Sequence, residues 1–143
     1  MISFTATLDT VNWDELKRDL IADKFHNGRS THQLRLSFEN SAHTAMGFDG
    51  ARCIASGRVL SDGVGNALVV DVWTQSTYRK QGIGNKIMNM LIRAVPGQHI
   101  YLQSDDTVAF YTKLGFSRQP EGLAMIAGTY LENATRRPDV PAP

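Results

Sequence analysis

Between Val69 and Met88 the chain reads VVDVWTQSTYRKQGIGNKIM: an apolar, β-branched run, a polar turn, two glycines, then apolar residues at helical spacing. This segment constrains the fold strongly, because a strand apolar on both faces has to lead across a short turn into an amphipathic helix. One side of that helix carries Ile83, Ile87, Met88, Leu91 and Val95, the other Asn85, Lys86, Asn89 and Arg93, and Pro96-Gly97 closes it. The first N–H groups of a helix have no internal partner, and the helix dipole favours negative charge there. Gly82 and Gly84 omit the Cβ atoms that would hold an anion away from the backbone, and Arg79 and Lys80 can add charge-assisted contacts. A diphosphate is one fitting occupant; tight helix–sheet packing alone is the other reading of the two glycines. The segment has no Gly-Lys-Ser/Thr ending, so it is not a P-loop. Lys86 and Ile87 stand where the third glycine of a dinucleotide fingerprint would fall.

Around this core the chain reads as a series of short elements. ISFTATL alternates apolar and polar residues as a first strand does. Asn12, with Glu15 three residues on, opens a helix whose apolar positions are Trp13, Leu16, Leu20 and Ile21. HNGRS breaks it, and THQLRLSFENS is read as a short second helix. Asp49-Gly50 signals a hairpin between two strand-like runs, SDGVGN is a second turn, and ALVVDVWT is the buried strand that precedes the glycines. Beyond the central helix, QHIYLQS is a strand, DDTVAFYTKLG a short helix capped by Gly115, and FSRQP and AMIAGTYLE are expected as closing strands. The fold class is therefore α/β (α+β), a single sheet with helices on it, in one domain over 1–133 followed by a Pro-rich polar tail over 134–143.

Composition sets limits on partners. A formal net charge of +1 over 143 residues argues against a general nucleic-acid or membrane surface, so any anion site should be local. Cys53 is the only cysteine, which excludes an internal disulfide and a cysteine-based zinc site. His26, His32, His43 and His99 show no metal-ligand spacing, so no metal is expected. No secretory leader pattern and no apolar run of membrane-spanning length is visible, and a soluble cytoplasmic protein is the expectation.

The hexad Arg79-Lys80-Gln81-Gly82-Ile83-Gly84, preceded by Tyr78, has the form Arg/Gln-x-x-Gly-x-Gly, and VAFYTKLGF follows at Val108–Phe116. Together with GRVLSDG before the buried strand and PEGLAMI after the second motif, these resemble the GCN5-related N-acetyltransferase (GNAT) superfamily. The likeness is strongest to the branch containing the plastid-type arylalkylamine acetyltransferases, and it spans about residues 1–131. It implies a mixed, mostly antiparallel sheet splayed between its fourth and fifth strands and flanked by about four helices. It also implies acetyl-CoA as co-substrate and a primary amine as acceptor, either a small molecule or a protein amine. A homodimer is left open. By the same resemblance, Val72, Trp73 and Thr74 would offer backbone groups to the pantetheine arm. Arg79, Lys80, Gln81, Gly82, Ile83 and Gly84 would wrap the diphosphate, Asn85 and Lys86 would lie beside it, and Tyr111 would sit near the thioester sulfur. Ser104-Asp105-Asp106 stand where many relatives carry a pantetheine-contacting asparagine.

Acyl transfer to an amine needs a neutral nucleophile, a donor for the developing oxyanion and a proton for the departing thiolate. Freeing a lysine-like amine of its proton costs about 4.6 kcal/mol at neutral pH. Tyr111, a phenol that stays protonated, suits the thiolate, although without the resemblance it reads as a packed helix aromatic beside Val108 and Leu114. A backbone N–H near Trp73 or Thr74 could polarise the thioester carbonyl. Asp71 is the first candidate base, ahead of Asp105, Asp106 and Glu39. The competing reading of Asp71, held slightly more weighty, is an ion pair with a basic neighbour such as Arg58. Asp71 and Val72 should face opposite sides of the sheet unless a bulge intervenes. Cys53 reads as a buried inert thiol. A catalytically silent acyl-CoA-binding module is the rival function.

Overall fold

The computed structural model describes residues 1–132, and the tail read over 134–143 lies outside the described residues. Packing divides the chain into a larger unit, Met1–Gln103, and a smaller one that begins at Ser104. In the larger unit the order is β1 (Ile2–Thr5), α1 (Trp13–Ala22), α2 (Thr31–Glu39), β2 (His43–Asp49), β3 (Arg52–Ser61), β4 (Asn66–Thr74), a 3₁₀ turn at Ser76–Tyr78, α3 (Ile83–Ala94) and β5 (His99–Tyr101). The five strands form one sheet in sequence order, antiparallel from β1 to β4 and parallel between β4 and β5. This is the mixed, mostly antiparallel sheet that the sequence implied.

Local chemistry starts both early helices. Asn12 Oδ1 accepts from the Glu15 N–H at 3.1 Å, capping α1. The ambiguous THQLRLSFENS is helical because Ser30 and Gln33 form a reciprocal capping box at its start. Its apolar residues Leu34 and Phe38 join Trp13, Leu16 and Leu20 of α1 against Met46, Phe48, Cys53 and Trp73 of the sheet. Arg58 points the same way, its guanidinium 5.8 Å from the centre of the Phe38 ring.

The opposite face holds α3. Ile83, Ile87, Met88 and Leu91 are all buried there, as their spacing required. The helix comes closest over Gly57, where an added Cβ would lie 2.8 Å from Ile87 Cγ2 and 2.9 Å from Leu91 Cδ1. A strand residue alternates faces with its neighbours, so Gly57 clears the way for α3 while Arg58 turns towards α2.

Two features of β4 matter for function. It pairs with β5 only from Asn66 to Leu68, so Val69–Thr74 has no strand neighbour on that side among the described residues. Its register against β3 also shifts: Ser56 faces Trp73 while Arg58 faces Val70, so one β3 residue spans two on β4. That is a β-bulge, with Asp71 in the left-handed region at φ 56°.

The smaller unit contains α4 (Val108–Lys113), which ends as read from sequence, with Gly115 at φ 106° and the Phe116 N–H donating to the Tyr111 carbonyl at 3.1 Å. The expected closing strands FSRQP and AMIAGTYLE are a correction: no residue from Phe116 to Glu132 lies in a strand. A strand exists only where a neighbour takes up its hydrogen bonds, and here Leu123 and Met125 are 90% and 88% exposed with no pairing partner among the described residues. Pro120, Gly122 and Gly128 interrupt the segment as well.

Among the described residues no helix is long and apolar enough to cross a membrane. The Gly57→Ala variant is expected to lose about 1–3 kcal/mol of stability, because its methyl group would overlap the branched ends of Ile87 and Leu91. Thermal or urea unfolding measures this, and an unchanged melting temperature would contradict the close helix–sheet approach.

Candidate functional site

The turn from β4 into α3 is built around backbone groups that have nothing to bond. Gly82 caps α3 at φ 80° with no side-chain bond to the helix start, and Lys80 also takes a positive φ of 63°. No protein acceptor receives the N–H groups of Gly82, Ile83, Gly84 or Asn85 among the described residues; the first such bond is Lys86 N–H to the Gly82 carbonyl at 3.2 Å. Successive free N–H groups at a left-handed turn, backed by a helix dipole, form a concave anion seat. Nothing lies within 4 Å of where a Gly82 Cβ would stand, so the space over the seat is open. The unpaired edge of β4 runs into this turn.

Side chains of the turn face partners within the unit. Arg79 Nε donates to the Thr74 carbonyl at 3.0 Å, and its Nη2 lies 3.8 Å from Asp23. Asp23 Oδ2 also accepts from the Trp73 indole at 3.0 Å and from the Ser76 N–H at 2.9 Å. Burial would raise the Asp23 pKa, but the bonds from Ser76 and Trp73 and the charge of Arg79 outweigh it and hold the carboxyl below its ordinary value. Asp23, at the end of α1, thus fixes where β4 ends and the turn begins. Lys86 Nζ lies 5.8 Å from the Phe4 ring centre. Trp73 has its ring in the core, and only its backbone and that of Val72 and Thr74 face the edge question raised by the sequence.

Asp71 sits in a charge cluster. Its two carboxylate oxygens accept from Arg29 Nη1 and Nη2 at 2.9 and 3.0 Å, and Arg58 Nε adds a third bond at 2.5 Å. The ion pair with Arg58 is therefore present, and a second arginine doubles it. Burial would raise the Asp71 pKa, yet the two guanidinium groups prevail and lower it. A carboxylate held this way is a poor proton acceptor. The bulge gives it its place, since it lets Asp71 reach Arg29 and Arg58 while Val72 lies against the Gly57 side of the sheet. Glu39, another base considered, is paired with Arg35 at 2.5 Å on the α2 surface.

Tyr111 belongs to the smaller unit. Its ring meets Phe110 and Phe116 edge-on at centroid distances of 4.9 and 5.9 Å, and its hydroxyl has no hydrogen-bond partner among the described residues. Burial raises its pKa, so the phenol keeps its proton through neutral pH. Ser104, rather than Asp105 or Asp106, makes the turn before α4, its Oγ accepting from the Thr107 N–H at 3.1 Å. Cys53 is buried and its thiol is pushed up to about 12, chiefly by burial, as an inert thiol should be. No group of three or more potential metal ligands occurs among the described residues.

Two residues that shape the site escaped the sequence reading. Arg29 appeared only as part of a helix-breaking loop, and Asp23 only as an unremarked residue near the end of the stretch read as the first helix. Their partners, Asp71 and Trp73, lie 42 and 50 positions away, and no periodicity or spacing rule links such pairs.

Residues 40–118 match the family described as acetyltransferase (GNAT) domain. A Glycine max protein named histone acetyltransferase is 30% identical over 125 residues, covering 82% of this chain and 52% of that protein. A chloroplastic protein of Oryza sativa subsp. japonica named serotonin N-acetyltransferase is 32% identical over 93 residues, covering 62% of this chain and 44% of its own. The chain thus spans about half the length of these relatives. The solved structure of a GNAT-family acetyltransferase from Streptococcus pneumoniae superposes with a TM-score of 0.75 at 21% identity, covering 90% of this chain and all of the other.

Two outcomes follow from the site's electrostatics. Because the Asp71 pKa is lowered on folding, its ion pairs stabilise fully above the ordinary carboxylate value and lose their effect as pH falls through the depressed one. Asp71→Asn is expected to cost about 3 kcal/mol at neutral pH and to show a shallower fall in melting temperature as pH drops below the ordinary carboxylate range of about 4. Parallel profiles for the two proteins would contradict the ion pairing. Iodoacetamide at about pH 8 is expected to leave Cys53 unmodified in the native chain and to alkylate it after unfolding, as read by mass spectrometry.

Proposed function

Because the chain belongs to the GNAT acetyltransferase family, we propose that it moves an acetyl group from acetyl-CoA to a primary amine, with direct attack while both are bound. The observation that carries this reading is the row of unpartnered N–H groups at Gly82–Asn85, placed where the open edge of β4 meets a helix N-terminus. A diphosphate fits that seat in charge, in hydrogen-bonding type and in the room over Gly82. The amide-bearing pantetheine arm fits the free edge of β4 beyond Leu68, as an added strand would. Acetyl-CoA supplies the activated thioester.

The residues then have distinct duties. Backbone N–H groups of Gly82, Ile83, Gly84 and Asn85 bind the diphosphate, with Arg79, Lys80 and Gln81 shaping the turn. Val72, Trp73 and Thr74 align the arm, and a β4 N–H polarises the carbonyl as the amine nitrogen adds to its carbon. By the family resemblance, Tyr111 would give its proton to the thiolate as the carbon–sulfur bond breaks and regain one from water, and its raised pKa keeps the phenol protonated beforehand. The nitrogen loses its extra proton to water, because Asp71 is already engaged by two arginines. A small amine is the acceptor class, and arylalkylamines come first because one relative carries serotonin in its name.

A thermal-shift comparison of coenzyme A with its dephospho form and ATP tests the donor site, and a panel of amines including tryptamine, spermidine and a lysine peptide tests the acceptor. Coenzyme A is expected to raise the melting temperature, and Gly82→Val to abolish that rise while the unliganded chain stays folded. Tyr111→Phe is expected to lower turnover by about 10²–10⁴-fold with little change in donor affinity. Tight binding with no amine ever consumed would replace this reading with that of an acyl-CoA-binding module; no shift at all would remove the donor site.

A further inference from the structure

Asp71 holds an unusual backbone angle as well as an ion pair. At φ 56° in mid-strand it occupies a region that a residue with a Cβ keeps only when its surroundings enforce it. The surroundings do so from three directions. Arg29 grips both carboxylate oxygens, Arg58 adds a bond to one of them, and the Ser56 hydroxyl donates to the Asp71 carbonyl at 3.1 Å. Arg29 is itself fixed: only 6% of it is exposed, Asn27 Oδ1 accepts from its Nε at 2.7 Å, and Lys17 Nζ donates to its carbonyl. Arg29 belongs to the loop between α1 and α2, whereas Asp71 belongs to β4. The ion pair therefore joins a loop on the helical side of the sheet to the one place where the strand departs from regular pairing.

We propose that Asp71 is a positioning residue: clamped by Arg29 and Arg58, it keeps the β4 bulge in its left-handed form and ties the α1–α2 loop to the strand that binds the donor. The inference rests on the reading of β4 as the donor strand. Its physical content is that the extra residue of a bulge decides which way the following peptide groups face. If Asp71 relaxed to an extended angle, the peptide planes entering Val72 and Trp73 would turn, and the N–H aimed at the thioester carbonyl would turn with them. A base would need a free oxygen; a clamp needs both oxygens taken, which is what the bonds show.

Glycine and alanine separate the angle from the charge. Glycine adopts a positive φ freely, so Asp71→Gly keeps the bulge and loses only the tether; Asp71→Ala loses both. In the full, ligand-free chain, hydrogen exchange read by mass spectrometry is expected to quicken about tenfold in loop residues 25–29 for both variants. In β4 residues 69–74 it should quicken for alanine alone. The coenzyme A-induced melting shift should survive in the glycine variant and shrink in the alanine one. Arg29→Lys, which breaks the two-pronged pair but keeps Asp71 and its bond from Arg58, is expected to loosen the loop strongly and β4 residues 69–74 more weakly than Asp71→Ala does, and it decides the matter if the Asp71 variants do not fold. Equal exchange in the glycine and alanine variants, quickening spread evenly over the molecule, or an unmoved loop in Arg29→Lys would overturn the proposal. If coenzyme A gives no shift even with the unaltered chain, the donor reading fails, while the exchange pattern still judges the clamp.

Discussion

β4 is paired on both sides for its first three residues and on one side for the rest, and the functional surface follows from that asymmetry. A strand edge inside a sheet is normally consumed by its neighbour; here β5 ends at Tyr101, and the backbone from Val69 onward is left with hydrogen-bonding capacity on one side. The same strand delivers the chain into α3, whose first N–H groups are also unspent. A ligand with an amide-bearing arm and an anionic head matches both deficits at once. Neither alone would select such a molecule, since edges pair with many peptides and helix starts with many anions.

Keeping these groups unpaired requires that everything around them be held firmly, and two half-buried carboxylates do that holding. Asp23 gathers an indole, a backbone N–H and a guanidinium at the end of β4; Asp71 gathers two guanidinium groups at its bulge. Removing a carboxylate from water is costly, and the cost is offset because Asp23 Oδ2 and both oxygens of Asp71 meet donors or cations. Both acids are thereby stabilised in the charged form, which suits a brace and disqualifies a proton acceptor near neutral pH. In the proposed transfer, preorganised backbone donors and a protonated phenol would then carry more than a side-chain base.

Legibility varied with the range of the interaction. The helix pattern Ile83–Val95, the Asn12 cap and the glycine turn were readable because each depends on residues a few positions apart. The second helix was marginal, since its decisive signal, the Ser30–Gln33 capping box, was hidden in a segment with no strong apolar period. FSRQP and AMIAGTYLE look like strands by residue type, but strand formation depends on a partner that residue type does not supply. Asp71 stood out as a charge in an apolar run, yet its partner Arg29 could not be named from the sequence.

The sequence by itself determined that a buried strand must run through a glycine turn into an amphipathic helix, because apolar periodicity and the absence of Cβ atoms are local properties of the chain. The family resemblance implied a splay between the fourth and fifth strands, and Arg58 was one named partner for Asp71; only the tertiary structure decided that β4 leaves β5 after Leu68, that it bulges at Asp71, and that Arg29 takes both oxygens of that acid. Those outcomes depend on which distant groups meet when the core closes, and charge pairing between residues 42 positions apart follows from packing rather than from spacing.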